Sequence, residues 1–281
     1  FQHLDVHFTE RRFDITLFDF SMVDAEIELL RTASAHGQYG YYLLLSGQCY
    51  PLRHIDDIYN YLCKNYPTPL LEVIDTEVVT KFDNVFHHPY ALKKFRVHSE
   101  SILRKYLPSK CMRLSRVIPK FIFYIATLIR GLFVQNPKQR LHAMGIKPYF
   151  GQQWWILPDI VLDKVFSFYQ NEDFCNCIRD CYSCDETFFQ TALMAYTNQF
   201  GITINSDGPY SGYYMNKKWF TGPFHNNHPI VLTQAYFDQM ITRTTPSVRL
   251  FARKFDINID STILDMLDRH SLDQYNEEIV D

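Results

Sequence analysis

Tyr41-Tyr42-Leu43-Leu44-Leu45-Ser46-Gly47 is a short, unbroken apolar run stopped by a turn pair. It is too short for a helix and does not alternate, so it reads as a strand covered on both faces, as in parallel sheets. Upstream, Ser21-Met22-Val23-Asp24 has the pattern of a capping box, and Val23, Ile27, Leu30 and Ala33 follow at helical spacing. That helix is expected to end near Gly37. Downstream, Ile55, Ile58 and Leu62 carry a second helix, and Leu70 to Ile74 forms a second apolar run. Helix, strand, helix, strand predicts an α/β fold with a mostly parallel sheet flanked by helices, as a single domain over 1–281. Ligands in such sheets sit beyond the carboxyl ends of the strands, which makes Ser46-Gly47 a candidate site by position.

The stretch 82–149 is basic and aromatic, with breaks at Pro108, Pro119 and Pro137, and reads as a helical insertion or lid. Gly151-Gln152-Gln153-Trp154-Trp155-Ile156-Leu157 reads as a loop entering a strand. Helices are expected over 158–168 and 187–196, the latter opened by Asp185-Glu186.

Composition narrows the function classes. The chain has 281 residues, 47% hydrophobic and 21% charged, which suits a globular protein with a real core. A net charge of −3 makes no case for a nucleic-acid partner. Aromatics reach 16%, with 19 Tyr and 23 Phe. Such rings stack on sugars, yet a Phe-rich core explains the number equally well. No phosphate-cradling Gly-rich loop and no Gly-x-Ser-x-Gly elbow occur. The run Ile118 to Phe133 contains Lys120 and Arg130 and is shorter than the ~20 residues of a membrane span. With Arg113 and Arg116 beside it, a buried helix or a peripheral membrane contact is the expectation. The opening, FQHLDVHFTERRFD, is polar and charged, so no leader and a cytoplasmic location are expected. Cys175, Cys177, Cys181 and Cys184 crowd together, as free thiols, as local disulfides or as four ligands of a zinc-stabilised module.

Two places could carry chemistry. Asp185 and Glu186 stand at a helix start, where carboxylates favour the dipole without any further role. In an aromatic cleft, the same position suits a general base. Val248 to Phe255, VRLFARKF, sets Arg249, Arg253 and Lys254 close together, either as a solvated face or as a diphosphate clamp. Asp56-Asp57 falls within a predicted helix and Asp256 and Asp260 merely follow the basic stretch, so neither pair makes a magnesium site.

Five stretches in order resemble the core-2/I-branching β-1,6-N-acetylglucosaminyltransferase family, which also includes the peptide O-xylosyltransferases. Leu45-Ser46-Gly47-Gln48-Cys49-Tyr50-Pro51-Leu52-Arg53 is similar to its Leu-Ser-Gly-x-Asp-Tyr/Phe-Pro signature, with Cys49 in the Asp position. Gly151 to Trp155 resembles its Gly-Ser-x-Trp-Trp loop. Ser183-Cys184-Asp185-Glu186 resembles its Pro-Asp-Glu segment, with Cys184 in the Pro position. His228-Pro229 with Leu232-Thr233, and then Leu250 to Asp256, resemble its closing segments.

The resemblance implies a GT-A-type fold and metal-independent, inverting transfer from a UDP-sugar to a glycan acceptor. Either N-acetylglucosamine, the first expectation, or xylose would be moved. It implies Glu186 as the base and Lys254, with Arg253, at the diphosphate. A second phosphate residue is expected among Lys217, Lys218 and His228. Ser46, Gly47 and Asp5 are expected at the donor; Asp5 closes His3-Leu4-Asp5, similar to the end of a nucleotide-site strand that is otherwise missing. Trp154, Trp155 and Asp185 are expected at the acceptor. A bacterial-type enzyme of surface-polysaccharide assembly fits this pattern. The alternative is a non-catalytic carbohydrate-binding protein on a degenerate transferase fold.

Overall fold

The computed structural model describes residues 6–77, 84–87, 99, 102–103, 105–106, 117–122, 125–126, 129, 135–200, 210–212, 230–238 and 250–280. In chain order its first elements are α1 (Phe20–His36), β1 (Tyr41–Leu43), β2 (Cys49–Pro51), α2 (Ile55–Asn65), β3 (Leu70–Leu71), β4 (Ile74–Asp75) and α3 (Asn84–His87). There follow α4 (Pro137–Ala143), β5 (Tyr149–Phe150), β6 (Trp155–Pro158), α5 (Leu162–Gln170), α6 (Glu172–Arg179) and α7 (Asp185–Phe200). The last are β7 (Tyr210–Gly212), β8 (Phe251–Arg253) and α8 (Thr262–Val280). The chain divides into two compact units, each assembled from separate segments.

The first unit takes Phe1–His36, Ile74–Gly151 and Asp163–Phe200. Its α1 opens where the Asp19 carboxylate accepts the Phe20 N–H at 2.6 Å. Ser21, expected as the cap, lies one residue inside the helix, and its hydroxyl accepts the Thr16 N–H at 3.0 Å. Phe20 meets Phe188 of α7 edge-on, and Phe188 also packs against Tyr169 and Phe174. These Phe side chains are almost wholly removed from water, so this part of the aromatic excess belongs to the core. α4 starts with the reciprocal Asn136–Gln139 capping box and Pro137, whose missing N–H costs nothing at that position. Of the stretch expected to be an insertion or lid, most lies outside the described residues.

The second unit takes Gly37–Val73, Gln152–Leu162 and Gly201–Asp281. One sheet has the order β1-β6-β3 and another β2-β8-β7. Here the expected mostly parallel sheet needs correcting. β1 and β3 both pair antiparallel with β6, through Tyr42↔Leu157 and Leu70↔Ile156. β2 is antiparallel to β8, and only β7–β8 is parallel among the described pairs. The helix–strand–helix–strand order does make β1 and β3 run the same way. β6 is inserted between them from far along the chain, and its four residues are all buried, so burial on both faces arises without parallel neighbours. The second apolar run also splits: Leu70–Leu71 joins β6 in this unit, while Ile74–Asp75 pairs with Tyr149–Phe150 in the first. A second core, of Leu52, Leu232, Ala252, Phe255, Ile263 and Leu267, backs β2 and β8.

Candidate functional site

In the second unit, β2–β8 pairing brings together two stretches some two hundred residues apart in sequence. Cys49 lies opposite Arg253 and Tyr50 opposite Ala252. Immediately beyond the strands, the Phe255 N–H donates to the Gln48 carbonyl at 3.0 Å, and the Leu232 N–H donates to the Lys254 carbonyl at 2.7 Å. The Ser46-Gly47 turn and the Arg253-Lys254 pair are thus held by one ladder. The turn closes on Cys49: the Ser46 N–H reaches its Sγ at 3.3 Å, and the Ser46 hydroxyl shares the same sulfur at 3.3 Å. A Cβ added at Gly47 would meet nothing within 4 Å, so the protein's own packing does not demand glycine there.

Beside this turn lies a cavity of about 250 Å³ between Gly47–Tyr50 and Phe255–Ile257. Whole ligand pockets run to roughly 300–1,000 Å³, so this one suits a fragment of a ligand. Trp154 and Trp155 precede and begin β6. Trp155 is 2% exposed, its carbonyl accepting the Leu44 N–H at 3.0 Å. The Arg253 guanidinium lies over the Trp154 ring at 4.6 Å from its centroid, a cation–π arrangement that fixes both side chains.

Glu72, just after β3, was missed in the sequence. It is partly buried, and burial pushes its pKa up to about 7, against the opposing effect of the Gln152 backbone N–H that donates to it. A carboxyl titrating near neutrality is a mark of functional sites. A lone Glu ending an apolar run carries no such signal until Gln152, eighty positions later, is folded beside it.

In the first unit, Asp185 and Glu186 form the first turn of α7. Ser183 precedes them in the left-handed region at φ 59°, uncommon for a non-glycine residue. Its carbonyl accepts the Glu186 N–H at 3.1 Å and the Thr187 hydroxyl at 3.2 Å. Cys184 is fully buried, and its thiol donates to the Ile178 carbonyl at 3.2 Å. The residue in the Pro position therefore anchors the turn. The Gly151 N–H donates to the Glu186 carbonyl at 2.9 Å, tying the start of the Gly-x-x-Trp-Trp loop to the predicted base. Glu186 itself is partly exposed, whereas Asp185 is 4% exposed and its Oδ1 has no hydrogen-bond partner among the described residues. Burial raises the Asp185 pKa to about 6, opposed by the N–H groups of Asp185 and Glu186.

The four crowded cysteines are buried. Cys175, Cys181 and Cys184 donate their thiols to backbone carbonyls, and burial raises the pKa of all four. Among the described residues, no three His, Cys, Asp or Glu side chains group as metal ligands do. Their side chains are free thiols packed in a core, which favours the free-thiol reading of their spacing.

Of the predicted site residues, Ser46, Gly47, Trp154, Trp155, Arg253 and Lys254 fall in the second unit, and Asp185 and Glu186 in the first. Asp5, Lys217, Lys218 and His228 lie outside the described residues. No helix among the described residues is long and apolar enough to cross a membrane.

Compared with known proteins, residues 14–68 match the family model "Core-2/I-Branching enzyme", which describes a glycosyltransferase family. The matched segment runs from the approach to α1 through the Ser46-Gly47 turn to the end of α2, about a fifth of the chain. No curated protein matches the chain.

Proposed function

We propose that this chain is an inverting glycosyltransferase that moves a sugar, N-acetylglucosamine in the first instance, from a UDP-sugar to a glycan hydroxyl without a metal. The observation that carries the reading is the family match across the Ser46-Gly47 turn, together with the ladder that joins this turn to Arg253-Lys254. Glu186 takes the proton from the acceptor hydroxyl. The oxygen then attacks the anomeric carbon as the bond to the diphosphate breaks. Lys254 and Arg253 offset the charge of the departing UDP, the role a divalent ion fills elsewhere. Asp5, Lys218 and His228 are further donor contacts in this reading; Trp154, Trp155 and Asp185 serve the acceptor.

Glu186→Gln keeps size and shape but removes the base. UDP release should fall by at least about a hundredfold, with UDP binding retained. Full turnover in the variant would overturn the assignment. Turnover in EDTA should equal that without it, and strong metal dependence would refute the cationic clamp.

One observation favours a second reading, a non-catalytic carbohydrate binder: a thiol, tied up by Ser46, stands where the resembling family has a carboxylate. Calorimetry with UDP separates the two, because a pure glycan binder gives no heat with the nucleotide.

A further inference from the structure

Residues 117–122, 125–126 and 129 are helical, and the exposed side chains among them are mostly apolar. Val117 is 58% exposed, Phe121 63% and Ile129 54%; Ile118, Ile122 and Ile125 each exceed 40%. Within the continuous helical stretch 117–122, at about 100° per residue, Val117, Ile118, Phe121 and Ile122 fall within roughly 140° of a helical wheel. The buried residue of the stretch, Pro119, lies off that arc. The apolar stripe of this segment therefore faces outward, the reverse of a surface helix in a soluble protein. Ile102 and Tyr106 are exposed as well.

Charge identifies what covers it. Between residues 101 and 130 the chain has seven Lys or Arg and no Asp or Glu, within a protein of net charge −3. A second copy would bring the same positive segment to the contact and be repelled. A nucleic acid would use the cations, but aliphatic Ile and Val offer it neither stacking nor hydrogen bonds. An anionic bilayer surface uses both halves: headgroups meet the cations while Ile and Phe enter the acyl boundary.

We infer that Val117, Ile118, Phe121, Ile122, Ile125 and Ile129 make an interfacial anchor that holds the protein on anionic membranes, lying in the surface and not crossing it. The inference stands apart from the transferase reading, since it uses none of the residues assigned to donor, acceptor or catalysis.

Flotation of the full chain with phosphatidylcholine vesicles, with and without phosphatidylglycerol, tests it. The chain should float with the anionic vesicles, and added salt should weaken the association. Phe121→Glu with Ile125→Glu should lower partitioning more than roughly tenfold, with circular dichroism and melting unchanged, because both side chains are exposed. Should that pair misfold, Phe121→Ser with Ile125→Ser is the milder form, with the same expected direction. Lys120→Glu should weaken binding about 25-fold at low salt, because it changes the charge by two units, each worth about fivefold. Four results would overturn the inference. They are no flotation, equal flotation on neutral vesicles, folded apolar variants that bind as well as the parent, and a dimer in the parent that Phe121→Glu dissociates. RNA binding lost in Lys120→Glu but kept in the apolar variants would likewise reassign the segment to nucleic acid.

Discussion

Replacing Glu72 with Gln should stabilise the protein above neutral pH and leave its stability nearly unchanged in mild acid. The carboxyl is held neutral by burial, its pKa rising from the ordinary 4.5 to about 7. A carboxyl raised in the folded state contributes its full stability below the unfolded value. That contribution is lost as the pH climbs toward the folded one. The loss begins near pH 4.5 and is complete just above pH 7. At about 1.4 kcal/mol per pH unit, the rise is worth about 3 kcal/mol. This is an upper bound, because the side chain is only partly buried and water screens it. Gln is neutral at every pH and retains an oxygen for the Gln152 N–H. Urea unfolding of parent and variant at pH 4, below the ordinary carboxylate value of 4.5, and at pH 8, followed by tryptophan fluorescence, would measure the difference. The variant should gain between about 1 and 3 kcal/mol at pH 8 only. A gap that does not change with pH, or a parent that gains on the variant as pH rises, would refute the burial argument.

Gly47→Ala should leave the melting temperature within about 2 °C, since the new methyl group meets nothing and the surface cost is small. If the donor approaches this backbone, KM for the UDP-sugar should rise severalfold with little change in kcat; an unchanged KM would remove Gly47 from the donor site. Among the described cysteines, a colorimetric thiol assay on the native protein should show Cys63, which is exposed, reacting first and Cys49, half-buried, next. Cys175, Cys177, Cys181 and Cys184 should react only in denaturant, with or without chelator, because their raised pKa values keep them as thiols. Rapid labelling of those four in the native protein would contradict the core assignment.

Several of the elements were legible to within a few residues. α1, α2 and α7 lie where helical periodicity puts them, and β1 and β6 where the apolar runs do, because period and apolarity are local properties. Strand partners were not legible, since nothing in Tyr41-Tyr42-Leu43 says that its neighbour is Trp155–Pro158 and not Leu70–Leu71. The same limit hid the split of Leu70 to Ile74 between two sheets, and with it the environment of Glu72. The aromatic excess was readable as either core or sugar platform, and Phe188, T-stacked on Phe20, belongs to the core. The cysteine spacing was readable in three ways, as free thiols, local disulfides or metal ligands. Four thiols in ten positions look like a ligand set, but α6 and the turn after it aim three of them, those of Cys175, Cys181 and Cys184, at nearby carbonyls.

The insertion of β6 between β1 and β3 fixes an order of events for a chain emerging from the ribosome. Tyr41 and Pro158 pair across 117 positions, and Cys49 and Arg253 across 204. The matched segment 14–68 contains two strands, and neither finds its partner inside that segment. Loop closure over such distances is slow, and strand edges remain open while it is awaited. The newborn amino-terminal region must therefore wait, with unpaired backbone, until residue 158 and then residue 253 have been synthesised. Shortening the chain from its carboxyl end before β8 would strip β2 of its partner, and with it the frame of the Ser46-Gly47 turn, although every residue of that turn would still be present.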